Sequence, residues 1–231
     1  ALTKASPQIA DYPYSTLKPL PGMARFENTW VQLVDIPPLL WEATDTWVSN
    51  VLRNGDAICL VVELIDDPVG QTEILLDEME TRRVPILRRD DSPGEVSDGL
   101  HPKRLFIAGT KLDLPGAGEG LELLKAAFDA SYHVVPVSAR EGEGTALFLS
   151  TAFQSLDRVR VYTKTPGKKP DLESPFVFRK GTTVIEMARE IHKDFEKRYR
   201  TARIYSEDKY NGQRVGKDFV LRDGDVIELI V

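Results

Sequence analysis

Over roughly the first two-thirds of the chain, short apolar runs rich in β-branched residues alternate with stretches whose apolar residues recur every three or four positions. That is the pattern of a mostly parallel sheet covered by helices. Trp30 to Val34 runs into Asp35, Ala57 to Ile65 into Asp66-Asp67, Arg104 to Ala108 into Gly109-Thr110, and His133 to Val137 into Ser138. Each run passes from apolar to small or polar residues, and in open α/β sheets ligands bind at the carboxyl ends of the strands. Gly22 to Phe26, joined to Trp30 through Glu27-Asn28-Thr29, predicts an antiparallel hairpin at the sheet edge. Helices are expected over residues 42–52, 71–83, 120–130 and 145–156. The charged stretch Arg88 to Pro102, with two prolines and two glycines, reads as a loop.

Beyond residue 157 the order changes to strand, strand, helix, strand, strand. Val159 to Thr163 and Phe176 to Phe178 are predicted strands, and Thr182 or Thr183 can cap the helix that follows. In that helix Val184, Met187, Ala188, Ile191 and Phe195 share one face. Arg189, Lys193, Lys197 and Arg200 fall on the opposite one. Ala202 to Tyr205 and Val226 to Val231 supply late strands, the last preceded by the turn Arg222-Asp223-Gly224-Asp225. Two domains are expected, residues 1–157 and 158–231.

Charge supports that division. The 231 residues carry 30 basic and 36 acidic side chains, a net −6, but residues 1–157 hold −11 and residues 158–231 hold +5. The acidic balance argues against a basic coat for nucleic acid, and no DNA partner is predicted. The single cysteine, Cys59, has no internal disulfide partner and suits a reducing, cytoplasmic setting. No apolar run approaches the ~20 residues of a membrane span, and no leader pattern opens the chain, so no membrane partner is expected. The chain opens on Ala1-Leu2-Thr3-Lys4-Ala5, which reads like the tail of a helix and raises the expectation of a missing upstream part.

Thr110-Lys111-Leu112-Asp113, directly after an apolar strand, is the sharpest chemical signal. A carboxylate at a strand end can accept both the ring N–H and the exocyclic amine of guanine, which adenine does not offer. A lysine stem can lie along the base plane. At the next strand end, Ser138-Ala139 puts small residues where a backbone N–H could reach the guanine oxygen. His101, His133 and His192 have no Cys or second His at ligand spacing, so no zinc site is predicted.

With these strand-end residues in order, the sequence resembles the Obg-like and developmentally regulated GTP-binding protein families. Ile9-Ala10-Asp11-Tyr12-Pro13-Tyr14-Ser15-Thr16-Leu17 is similar to their first switch, Asp35-Ile36-Pro37 to the start of the second, D-x-P-G, and Thr110 to Asp113 to the guanine motif N-K-x-D. Residues 158–231 resemble a TGS domain, a ubiquitin-like β-grasp module, through Val161-Tyr162-Thr163-Lys164 and Gly212 to Val226. The resemblance implies an α/β, P-loop-type GTPase domain followed by the TGS domain. It assigns GTP or GDP to Thr110, Lys111, Asp113, Ser138 and Ala139, and Mg²⁺ to Thr16 and Asp35. One hydroxyl and one carboxylate suffice for an ion that keeps several waters beside phosphates.

Two departures stand out. No G-x-x-x-x-G-K-[ST] is present, so the phosphate-cradling loop and the first, central strand are absent from this sequence, and the sheet is expected to have a gap lined with unpaired backbone groups. Within the switch formed by Pro37, Pro38 and Leu39, Pro38 replaces the glycine whose N–H contacts the terminal phosphate, and Leu39 cannot orient a water. The expected activity is slow Mg²⁺-dependent GTP hydrolysis in the complete protein, as a switch near ribosomes or RNA, with a regulatory partner protein as the alternative source of the completing residue; this chain as it stands is not expected to hydrolyse GTP. The basic stripe Arg189, Lys193, Lys197 and Arg200 is the candidate RNA or ribosome contact. The alternatives are a non-hydrolysing GTPase-like scaffold displaying its TGS domain, or a guanine-nucleotide sensor.

Overall fold

The computed structural model describes residues 2–3, 19–39, 46–92, 101–206 and 210–230. They fall into two units, residues 1–26 with 30–156, and residues 157–231 together with the turn Glu27–Thr29.

In the first unit, β1 (Leu20–Phe26) and β2 (Thr29–Asp35) pair as a two-stranded sheet. A second, parallel sheet holds β3 (Ala57–Glu63), β4 (Ile86–Leu87), β5 (Lys103–Thr110) and β6 (His133–Pro136). β5 is the middle strand: β3 runs beside it from Ala57↔Arg104 to Glu63↔Thr110, while β4 and then β6 occupy its other edge. Helices α1 (Thr46–Asn54), α2 (Pro68–Thr81), α3 (Ala117–Phe128) and α4 (Thr145–Ser155) cover it. Alternate residues of β5 serve two cores. Leu105 and Ile107 join Ile58, Leu60, Val48 and Leu124, whereas Phe106 joins Val135, Val137 and Ala152. Burial on both faces is why β5 reads as an apolar run. The predicted helix over 71–83 begins three residues earlier, because Pro68 suits a first helical turn and Asp67 accepts from the Gly70 N–H at 3.1 Å.

The edge of β3 away from β5 is where a gap is expected. Among the described residues β3 pairs only with β5, and the β1–β2 sheet is not hydrogen-bonded to the larger one. Val61, in mid-strand, is 60% exposed. A cavity of about 300 Å³ is lined by Leu20, Leu33, Val61, Ala108, Val137 and Phe148 among others. In a parallel strand, alternate residues turn both backbone groups to the same side. Leu64 donates to Thr110 O at 3.1 Å, so Glu63 faces the outer edge. There the Gln71 carboxamide substitutes for a strand: Glu63 N–H donates to Gln71 Oε1 at 3.0 Å and Gln71 Nε2 donates to Glu63 O at 3.3 Å.

The second unit is a five-stranded mixed sheet, order β10-β9-β11-β7-β8, formed by β7 (Arg158–Thr163), β8 (Phe176–Arg179), β9 (Thr201–Ser206), β10 (Tyr210–Val215) and β11 (Asp225–Ile230). Its first and last strands lie parallel at the centre and the other pairs are antiparallel. Val184, Met187 and Ala188 of α5 (Val184–Ile191) are buried, and Val184 and Met187 pack with Val161, Ile204 and Ile227. Arg160 grips the turn before β11 through Asp223, with Nε–Oδ1 at 3.1 Å and Nη2–Oδ2 at 2.7 Å, and also pairs with Glu27.

Several expectations need correction. Among the described residues the β1–β2 hairpin is a sheet of its own and not the hydrogen-bonded edge of the larger one. Residues 184–200 do not form one helix: α5 ends at Ile191, His192 is extended (φ −161°, ψ 129°), and a separate α6 spans Lys193–Arg198. The break is stabilised locally, since His192 Nδ1 accepts from the Asp194 N–H at 3.2 Å. The basic stripe on a single helix face therefore does not exist: Arg189 lies on α5, Lys193 and Lys197 on α6, and Arg200 beyond both. Ile86–Leu87 forms a short strand where no element was expected, its partner being β5. β10 was also not foreseen, because Tyr-Asn-Gly-Gln-Arg-Val shows no apolar alternation and its pairing with β9 shifts register between Asn211 and Gln213.

α3 approaches the end of β3 closely: a Cβ added at Gly120 would meet Leu64 O at 1.9 Å, whereas one at Gly118 would meet nothing within 4 Å. Gly120→Ala should therefore destabilise the protein by about 2 kcal/mol or more, read as the urea midpoint. Gly118→Ala should be neutral or slightly stabilising.

Candidate functional site

The carboxyl ends of β3, β5 and β6 converge, and the predicted guanine-site residues are there. Thr110 closes β5 with its hydroxyl turned inward, Oγ1 donating to Val62 O at 2.8 Å, so it ties two strand ends together. Lys111 takes a left-handed backbone (φ 62°) and sets its Nζ 2.6 Å from Glu63 Oε2. The turn is pinned by Leu112 N–H donating to Val137 O at 3.2 Å and Leu114 N–H to Lys111 O at 3.0 Å. It delivers Asp113, 25 residues before Ser138 in sequence, to within 2.6 Å of the Ser138 hydroxyl, which donates to Oδ1.

Ser138 is fully buried and saturated. Its hydroxyl also accepts from Glu141 N–H at 3.0 Å, its N–H donates to Glu143 O at 2.9 Å, and its carbonyl accepts from Gly142 N–H at 2.9 Å. Its backbone N–H is thus committed within the loop, and exposed Ala139 is the neighbouring residue able to offer one to a ligand. The Ser138 hydroxyl holds the Asp113 carboxyl below its ordinary value, with a smaller contribution from Arg140, and Asp113 itself is exposed. A carboxylate that stays ionised, oriented by one oxygen and open to solvent, can accept two N–H donors from one ring edge. Glu63 and Gln71 escaped the sequence reading; the trace of Glu63 is a lone charged residue inside the apolar run Ala57 to Ile65.

Asp35 ends β2, is exposed, and lines the same cavity as Thr110 and Ala139. Thr16 lies outside the described residues. Of the residues expected to form the second switch, Pro37 is buried, Pro38 exposed, and Leu39 buried in the main core. The Leu39 carbonyl accepts from Arg82 Nη2 at 3.0 Å, while Arg82 also contacts Ser49 Oγ at 3.3 Å and Glu78 at 3.1 Å. The residues of the expected basic stripe come from separate elements, and Arg189 of α5 is paired with Glu196 of α6 at 2.6 Å. Burial pushes the Cys59 thiol up to about 12, so it is a packing group and not a nucleophile.

The depressed Asp113 pKa has a checkable origin. Its folded value lies below the ordinary one, so it contributes stability present at neutral pH and lost as pH falls through the folded value. Ser138→Ala should move the Asp113 carboxyl upward toward its ordinary value in an NMR titration and flatten the acid limb of the stability profile.

Residues 159–231 match the TGS domain. An uncharacterized GTP-binding protein of Methanocaldococcus jannaschii is 25% identical over an alignment that takes in 100% of this chain and 73% of that protein. Developmentally-regulated GTP-binding protein 1 of Xenopus laevis is 25% identical, with 96% and 75% covered, and Ribosome-interacting GTPase 1 of Saccharomyces cerevisiae is 24% identical, with 99% and 77% covered. The crystal structure of a GTP-binding protein from Pyrococcus horikoshii superposes with a TM-score of 0.61 at 16% identity, over 96% of this chain and 90% of that one, a likeness of fold. The chain thus carries a TGS domain and is similar along its length to developmentally regulated GTP-binding proteins.

Proposed function

We propose that this protein binds guanine nucleotides, with Asp113 reading the base. The observation that carries the reading is the Asp113 carboxylate, held by Ser138 at 2.6 Å and exposed at the junction of two parallel strand ends. Guanine presents two N–H donors to such a group. Adenine presents an acceptor in place of one of them and would leave the carboxylate facing a lone pair. Lys111 supplies an apolar stem along the base and Ala139 an N–H for the exocyclic carbonyl oxygen of guanine. Relatives named GTP-binding proteins support the assignment.

Phosphate chemistry falls to the other side of the cavity. The Asp35 carboxylate, acting through a water, and the Thr16 hydroxyl are the hard oxygen groups that would hold Mg²⁺ there. When bound, the ion would neutralise phosphate charge. This chain's own groups do little to speed hydrolysis: Pro38 has no N–H to give a terminal phosphate, and Leu39 is apolar, buried and tied to Arg82. Turnover of GTP to GDP is accordingly slow, and a partner's residue would complete it. The mechanism is a switch whose movement is read by a ribosome or RNA. The +5 balance of residues 158–231 and a yeast relative named ribosome-interacting favour that setting.

Titration of the complete gene product with a fluorescent GTP analogue and Mg²⁺, with ATP as competitor, tests the reading; binding that ATP displaces as well as GTP does would refute it. Asp113→Asn should lower affinity for guanine nucleotides at least about tenfold and admit xanthine nucleotides, whose ring presents an acceptor where guanine has its amine. Replacing Lys193 and Lys197 together with Glu should weaken co-sedimentation with ribosomes and reduce its salt dependence. Unaltered sedimentation would remove α6 from the contact surface.

A further inference from the structure

The guanine reading gives Lys111 a task but does not say what keeps a long, flexible side chain at it. Its Nζ lies 2.6 Å from Glu63 Oε2, with the two side chains 43% and 45% exposed. An ion pair that open contributes little to folding stability, because water and salt screen it and both stems lose rotamer freedom. Its setting is nevertheless unusually fixed. The Glu63 backbone is gripped from both sides of one peptide edge by the Gln71 carboxamide, at 3.0 and 3.3 Å, and Gln71 also reaches the Asp66 carbonyl. The neighbouring strand ends are tied by Thr110 Oγ1 to Val62 O at 2.8 Å and by Leu64 N–H to Thr110 O at 3.1 Å. Lys111 itself has the left-handed backbone that a side-chain-bearing residue adopts only where its surroundings hold it there.

Resting on the guanine assignment, we propose that Glu63 is a positioning residue for nucleotide binding: its carboxylate fixes the Lys111 ammonium so that the four-carbon stem is already extended between the ends of β3 and β5, beside the turn that presents Asp113. A stem held in place before the base arrives loses less entropy on binding than a free one. Gln71 serves the same end one step back, by fixing the Glu63 backbone. Base choice stays with Asp113. The opposite arrangement, Glu63 drawing Lys111 away from the ligand, predicts the opposite sign, so one measurement separates them.

The test is a titration of the complete gene product with a fluorescent GDP analogue. Glu63→Gln should weaken binding about two- to fivefold at low salt, the range of an exposed ion pair, and the difference from the parent protein should shrink toward nothing as salt rises. Lys111→Met should cost less in the Glu63→Gln background than in the parent, since the two side chains act as a unit. Gln71→Ala should shift affinity in the same direction, and Glu63→Asp should restore part of it. A purely structural role would instead lower the melting temperature and leave affinity and its salt dependence alone. Unchanged or tighter binding by Glu63→Gln, with an unchanged melting temperature, overturns the proposal. Asp113→Asn in the same titration separates the two levels. If it relaxes guanine preference while Glu63→Gln is silent, only the positioning role falls; if it does not relax that preference, the guanine reading falls and the positioning role with it.

Discussion

Everything chemical in the first unit depends on β5 being paired along both edges. Its residues from Arg104 to Thr110 lie against β3, while β4 and β6 take the other side, and both faces are covered by apolar side chains. A strand so enclosed has no freedom to slip, because a shift of one residue would exchange Phe106 with Ile107 between two separately packed cores. The turn that follows therefore leaves the sheet at a fixed point. Thr110, Lys111 and Asp113 owe their places to that fixed exit, and the tie from Thr110 Oγ1 to Val62 O repeats the constraint at the last residue.

The second unit solves a similar problem with a different strand. β11 lies between β9 and β7, with Ile227 in the core, and is therefore the enclosed strand there. Glu228, on the same strand, is nearly buried, yet it accepts from the Tyr205 hydroxyl at 3.1 Å and pairs with Lys164, whose ammonium lies 4.7 Å from the centre of the Tyr205 ring. The Lys164 ammonium holds the Glu228 carboxyl below its ordinary value. A buried carboxylate is tolerable when its partners come from strands on both sides, as here, and costly otherwise. The arrangement fixes the neighbours of β11 by charge as well as by apolar packing.

What could be read in the sequence follows from which forces dominate locally. β5 and β6 were legible because burial on both faces makes an apolar run, β3 because its run is apolar from Ala57 to Val62, and α2 to α4 because a helix must present a periodic apolar face. β10 was not, since Tyr210 to Val215 owes its strand to pairing with β9 and carries no pattern of its own. The run from Thr183 to Arg200 kept helical spacing through His192, yet one extended residue there divides it, and periodicity is blind to a single backbone angle. At the site, Asp113 and Ser138 were legible as strand-end residues, but Glu63 and Gln71 were not: a salt bridge across 48 positions and a carboxamide imitating a strand leave no spacing to detect.

The Gln71 carboxamide also bears on the edge of β3 that has no partner strand among the described residues. An unpaired parallel edge offers backbone donors and acceptors at every second residue and is an invitation to another strand. On β3 the outward-facing positions are Ala57, Cys59, Val61 and Glu63, and the last is already satisfied by Gln71 at 3.0 and 3.3 Å. Any segment pairing there would find its partners from Ala57 to Val61 and would have to leave the sheet before Glu63. It would also fill the cavity between Leu33 and Val61. A strand that turns away at that level emerges beside Asp35, Thr110 and Ala139, so the side chain that caps the edge also decides where an added strand would deliver its following loop.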